Sequence, residues 1–136
     1  MNLPEIPIDI ANEEELVRIL LNPIHINKEN EIKPYAFQPP PDSQDISVNR
    51  RDYTTFEICK KQGLAMQNNN NRFFGLGLIL VEKIRLLGFE VKYTPTEKNV
   101  AHSDILIGVL KQKGEPLPTE ITIKIKRLIK EISIQK

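Results

Sequence analysis

The chain has a single cysteine, Cys59, so it cannot build an internal disulfide framework, which fits a reducing compartment. It has no tryptophan and only two histidines, His25 and His102. One thiol and two imidazoles cannot assemble a structural zinc site unaided, so neither a metal nor a cofactor is expected. An excess of charge is missing too. Nineteen Lys and Arg against eighteen Asp and Glu leave +1, which argues against coating nucleic acid by bulk charge. No run approaches the ~20 apolar residues of a membrane-spanning helix, and the first residues show no basic segment leading into an apolar one. The expectation is a cytoplasmic protein with no membrane partner. P-loop, Gly-x-Ser-x-Gly, Cys-x-x-Cys and His-Glu-x-x-His patterns are all absent.

What is present fits one domain. Residues 1–11, with Pro4 and Pro7 between isoleucines, read as an extended arm, and 12–136 as a single α+β domain of 125 residues, enough to bury a core without staples. The centre of organisation is Phe73–Gly108. Gly75 and Gly77 would each cost roughly 1 kcal/mol in a helix, so 74–80 is expected to be a strand. A short helix then ends at Gly88, Phe89–Tyr93 alternates as a strand, and a loop carrying His102, Ser103 and Asp104 leads into a strand over 105–108.

On either side of this stretch the elements are shorter. Asn12 with Glu15 matches a capping box, and Leu16, Ile19 and Leu20 form a stripe, which predicts a helix over 13–21. Ile32–Phe37 reads as a strand cut off by Pro39-Pro40-Pro41, a stiff surface connection. Ile46–Asn49 alternates as a strand and delivers Arg50 and Arg51 at its end. Thr54 or Thr55 caps a helix over 56–66, with Cys59 inside as a small hydrophobe rather than a nucleophile. Asn68–Asn71 is an exposed polar loop. Thr119 opens a last helix reaching Ser133, with Ile121, Ile125, Leu128 and Ile132 inward and Lys124, Arg127 and Lys130 outward. The fold expected is an antiparallel or mixed sheet of about four or five strands with three helices, the last at the C-terminus. Leu78, Leu80, Ile84, Val91, Ile105, Ile107, Ile125 and Leu128 are the expected core.

The residues able to do chemistry are few. His25, Arg50 and His102 have the parts for phosphodiester cleavage: one imidazole to take a proton, one to return it, and a guanidinium for the phosphoryl group. Ser47, Arg51, Ser103 and Asp104 are the candidate binding residues around them, and Asp104 or Ser103 is placed to hold the tautomer of His102. Against this stands a plainer reading of His25 as a core or edge residue on a backbone partner, of His102-Ser103-Asp104 as a turn, and of Arg50-Arg51 as a surface salt-bridged pair beside Asp52.

Several pieces share order and spacing with a class of small uncharacterised bacterial proteins. They are Asn12–Leu21, Pro23-Ile24-His25, Ala36-Phe37, Ser47-Val48-Asn49-Arg50, Ile84-Arg85-Leu86-Leu87-Gly88, Asn99-Val100-Ala101-His102 and Thr119–Ser133. The chain resembles that class over nearly its whole length. The resemblance implies one intact domain and draws attention to His25, Arg50 and His102, but it carries no activity. Lys33-Pro34-Tyr35 stands where small hydroxyl residues would suit a phosphate pocket better. Three functions are expected in order. First is a non-enzymatic accessory module acting with a larger protein partner, in the bacterial defence or toxin–antitoxin setting that size and class point to. Second is a small phosphodiesterase or RNase-like enzyme using His25 and His102. Third is a nucleotide- or RNA-binding module using Arg50, Arg51 and the basic last helix.

Overall fold

A computed structural model describes residues 5–136. The fold is α+β: one antiparallel sheet of six strands, with three α-helices. The strands are β1 (Glu15–Asn22), β2 (Asp45–Arg50), β3 (Arg72–Leu80), β4 (Glu90–Tyr93), β5 (His102–Leu106) and β6 (Ser133–Gln135), in the order β4-β5-β2-β1-β3-β6. The helices are α1 (Phe56–Ala65), α2 (Val81–Leu86) and α3 (Thr119–Ile129).

Four expectations are corrected. The segment expected as a helix over 13–21 is β1, a strand inside the sheet between β2 and β3. It is covered on both faces. Leu16 and Leu20 join the large core, while Val17 and Ile19 pack with Cys59 and Leu76. A strand buried on both sides reads as a continuous apolar run, and such a run matches helical spacing by accident. Asn12 caps no helix; its Oδ1 accepts from Arg85 Nη1 at 2.6 Å.

The segment 32–37 is not a strand either. Pro34 opens a 3-10 turn over Pro34–Phe37 that drives Ala36 and Phe37 fully into the core. His102–Asp104 is not loop but the first part of β5, paired with Ser47–Asn49 of β2. The last helix stops at Ile129, and the chain turns back as β6 to pair with β3, which adds the strand that a helix to Ser133 would have consumed.

Other elements form where the sequence placed them. β2 alternates as expected, and Thr55 Oγ1 accepts from the Ile58 amide at 3.1 Å at the start of α1. Gly88, at φ +87°, ends α2 in a paired hydrogen-bond motif: its amide donates to Arg85, and that of Phe89 donates to Ile84. On β3 the buried hydrophobic side chains are Leu76 and Ile79, one on each face, whereas Leu78 and Leu80 are only half buried, as is Val91 on β4. β3 is also bulged: Leu20 pairs with Gly75 and Leu21 with Phe73, leaving Phe74 unpaired.

The two faces of the sheet differ, and that difference positions the site. One face carries Leu16, Leu20, Ile46, Val48, Ile79 and Ile105 and is covered by α2, α3 and the Pro34–Phe37 turn. On the other, α1 covers chiefly β1 and β3 around Val17, Cys59 and Leu76, and reaches β2 at Asn49. The remainder of that second face, over β2, β5 and β4, is polar: Ser47, Asn49, His102, Asp104 and Lys92 all point there by alternation.

Candidate functional site

Of the three residues proposed to act on a phosphate, each goes to a different place. Arg50 lies on the large-core face and is completely buried. Its Nε and Nη2 donate to the two carboxylate oxygens of Glu14 at 2.8 and 2.9 Å, Nη1 donates to the Pro7 carbonyl, and the rings of Tyr53 and Tyr93 lie 4.7 and 4.8 Å from its Cζ. Burial alone would raise the Glu14 pKa, but the Arg50 bond, the Ala11 amide and the charges of Arg50 and Arg85 outweigh it and hold the carboxyl below its ordinary range. Arg50 thus anchors the segment before β1 to the sheet, and Ile10 is buried beside it. The part of the expected arm at 1–4 lies outside the described residues.

His25 is equally committed. It follows β1 and is buried, and its Nδ1 accepts from the Leu21 amide at 3.0 Å. That bond requires Nδ1 to be unprotonated. Burial, with the charges of Arg18 and Lys33 behind it, pushes the His25 pKa down to about 4 from 6.5. The imidazole is therefore neutral at pH 7. Along the ladders, Val17, Asn49 and His102 align, and Leu21 lies four residues further along β1. The two imidazoles are therefore on the order of 15 Å apart, and Arg50 points to the opposite face from His102.

The neutral His25 carries a pH dependence with a defined sign. Its folded pKa is depressed, so between pH 6.5 and about 4 the unfolded chain binds a proton that the folded chain refuses. Stability is full above 6.5 and falls as pH drops through that window, by on the order of 2–3 kcal/mol. Urea titrations at pH 7 and 5 are expected to show this loss, and His25→Gln is expected to flatten it. A wild-type stability that does not change from pH 7 to 5 would contradict the assignment.

Of the three proposed to act on a phosphate, His102 lines an open cavity, which the candidate binding residue Ser47 also lines. That cavity, of about 390 Å³, lies on the second face between the end of α1 and β5, and its lining includes Val17, Arg18, Ile19, Ser47, Val48, Asn49, Gln62, Ala65, Met66, Asn99 and His102. The local bonds specify its ring. Thr94 Oγ1 donates to Asp104 Oδ2 at 2.9 Å, so its oxygen accepts from His102 Nδ1, also at 2.9 Å, while the Thr94 carbonyl lies 2.9 Å from the same nitrogen. A carbonyl only accepts, so Nδ1 carries a proton, and Nε2 is the acceptor nitrogen of the neutral tautomer these bonds select. Asp104 orients His102, but through Thr94 rather than directly.

Beside His102 runs a chain of amides. Asn49 Nδ2 donates to Gln62 Oε1 at 2.8 Å and lies 3.5 Å from Cys59 Sγ, and Asn99 Nδ2 donates to Asn49 Oδ1 at 2.7 Å. Cys59 is fully buried, below the cavity. Ser47 is exposed on the same face. Ser103 points the other way, fully buried, with its hydroxyl 3.4 Å from the Ala101 carbonyl. Arg51 pairs with Glu15 on the surface, and not with Asp52.

Sequence reasoning missed Glu14, Arg18, Asn49, Gln62, Thr94 and Asn99. Asn49 and Asn99 sat inside quoted motifs beside more conspicuous neighbours. Arg18 had a visible signal, a lone arginine inside the apolar run Leu16–Leu21. Neither family models, curated proteins nor solved structures match this chain. No group of three or more His, Cys, Asp or Glu able to hold a metal ion occurs among the described residues, and no described helix is long and apolar enough to cross a membrane.

Proposed function

We propose that the chain is a non-enzymatic accessory module that binds a larger protein partner through the cavity beside His102. The observation that carries this reading is the composition of that cavity. Three side-chain amides and an imidazole lie along one wall, and exposed Met66 and Ala65 at the end of α1 along another. Side-chain amides and an imidazole with a free Nε2 offer donors and acceptors to a polypeptide backbone, and methionine adapts to an apolar anchor. Leu64 and Ile58 extend the apolar surface along α1, at 54% and 47% exposure.

The other two readings have less support. A two-histidine phosphodiesterase needs both imidazoles at one phosphate, and His25 is spent on the Leu21 amide. A nucleic-acid module using Arg50 and Arg51 needs free guanidinium groups, and both are paired with carboxylates. The bacterial defence or toxin–antitoxin setting remains part of the proposal.

Met66→Glu and Ala65→Arg are expected to weaken the complex with that partner by about tenfold or more, since they place charge at the apolar wall. Both positions are exposed, so folding stability should change by no more than ~0.5 kcal/mol. Undiminished binding by both folded variants, or hydrolysis of a phosphodiester that His102→Ala abolishes, would refute the reading.

A further inference from the structure

A second site lies at the split between β1 and β2. These strands pair only at Leu16–Arg50 and Val17–Asn49 and then separate. The Arg18 side chain bridges the gap, donating from Nε to the Ala36 carbonyl at 3.0 Å and from Nη1 to the Ser47 carbonyl at 2.9 Å. Its face lies 5.9 Å from the Phe37 ring centre. Among the described residues Arg18 makes no ion pair, and Nη2 has no hydrogen-bond partner. Burial lowers its pKa to about 10, so it stays charged at neutral pH. Arg18 is half-buried and its unpaired Nη2 is not among the buried atoms, so that nitrogen is open to a ligand, and the two carbonyls supply dipoles but no counter-charge.

That guanidinium opens onto a cavity of about 510 Å³. Lys111 lines it, with its Nζ donating to the Gln112 and Glu115 carbonyls, and Tyr35 and Pro39–Pro41 line it too. Gln38 offers an amide, and Asp45 is the one carboxylate in the lining. Two cations against one anion leave the cavity positive, and the prolines and the ring give it a flat apolar side.

From this geometry we propose that the cavity binds a small organic oxyanion, a carboxylate or phosphate ester. Its charged end bonds Arg18 Nη2 near Lys111, and its hydrocarbon or aromatic part lies against Tyr35 and the prolines. The site adjoins the cavity beside His102, since Arg18 and Ser47 line both, but the ligand proposed here does not rest on the function proposed for that cavity. A guanidinium fits either oxyanion, so the two chemistries are distinguished by experiment.

The test uses the whole chain with three probes sharing one ring: phenyl phosphate, benzoate and neutral benzyl alcohol. Two-dimensional amide NMR follows each titration. Saturable shifts at Ser47, Gln38 and Lys111 are expected for at least one anion, with benzyl alcohol at least tenfold weaker, and the preferred anion names the ligand class. Arg18→Gln is expected to abolish these shifts. Because Arg18 also bridges two strands, Lys111→Gln serves as the second test, expected to weaken binding about two- to fivefold while the spectrum stays folded. No saturable shift with either anion, benzyl alcohol binding as tightly as the anions, or equal affinity in wild type and Lys111→Gln would overturn the proposal.

Discussion

Arg50→Ala is expected to cost about 3–5 kcal/mol, among the largest losses of any single polar change in this chain. Glu14 is 8% exposed, and its two oxygens take the Nε and Nη2 hydrogens of Arg50. Removing the guanidinium leaves a buried carboxylate without its counter-charge, frees the Pro7 and Asp9 carbonyls, and empties the space between Tyr53 and Tyr93. The cost of breaking such a pair comes from the group left behind, not from the attraction itself. Arg50→Met combined with Glu14→Leu is therefore expected to recover much of the loss. Urea denaturation of both variants at pH 7 checks this. A loss below ~1 kcal/mol for Arg50→Ala is what an exposed pair would give, and it would remove Arg50 from the role of anchor.

Val17→Asp is expected to be as severe, on the order of 3–5 kcal/mol, or to prevent folding. Val17 is fully buried against Cys59 and Leu76. In a helix over 13–21, with Leu16, Ile19 and Leu20 facing inward, Val17 falls beside the stripe and an aspartate there would be tolerated. The substitution therefore separates strand from helix in one measurement. A folded variant with an unchanged melting temperature would restore the helix.

The same residue shows where the sequence was legible. Periodicity is informative when one face is wet. β2, β4 and α3 each have such a face, and their type follows from alternation or from the Ile121, Ile125, Leu128 stripe. β1 has apolar cover on both faces, so its run carries no period, and a capping pattern at Asn12 tipped it to helix. The Pro34–Phe37 turn was equally hidden, since two apolar residues after a proline look extended until tertiary packing buries them. β6 is exposed and short and is specified by its pairing with β3 rather than by its own residues. It was not legible.

The candidate site was legible in half. His102 and Asp104 were singled out, and the structure places both on one face with Thr94 between them. What composition could not reveal is convergence: Asn49, Gln62 and Asn99 come from β2, α1 and the loop before β5, up to 50 residues apart in sequence. Asparagine and glutamine are common on surfaces, so no spacing marks these three. His25 and Arg50 drew attention for their chemistry, and both are occupied by internal bonds.

The most direct measurement is site-specific photo-crosslinking of the chain in the cells that make it. A photoreactive residue is placed at Met66, on the cavity rim, and in a second variant at Lys126, exposed on α3. One discrete adduct with a larger protein is expected from position 66 and none from 126. Equal adducts from both positions, or none from position 66 while the chain is folded, would contradict a partner-binding surface beside His102.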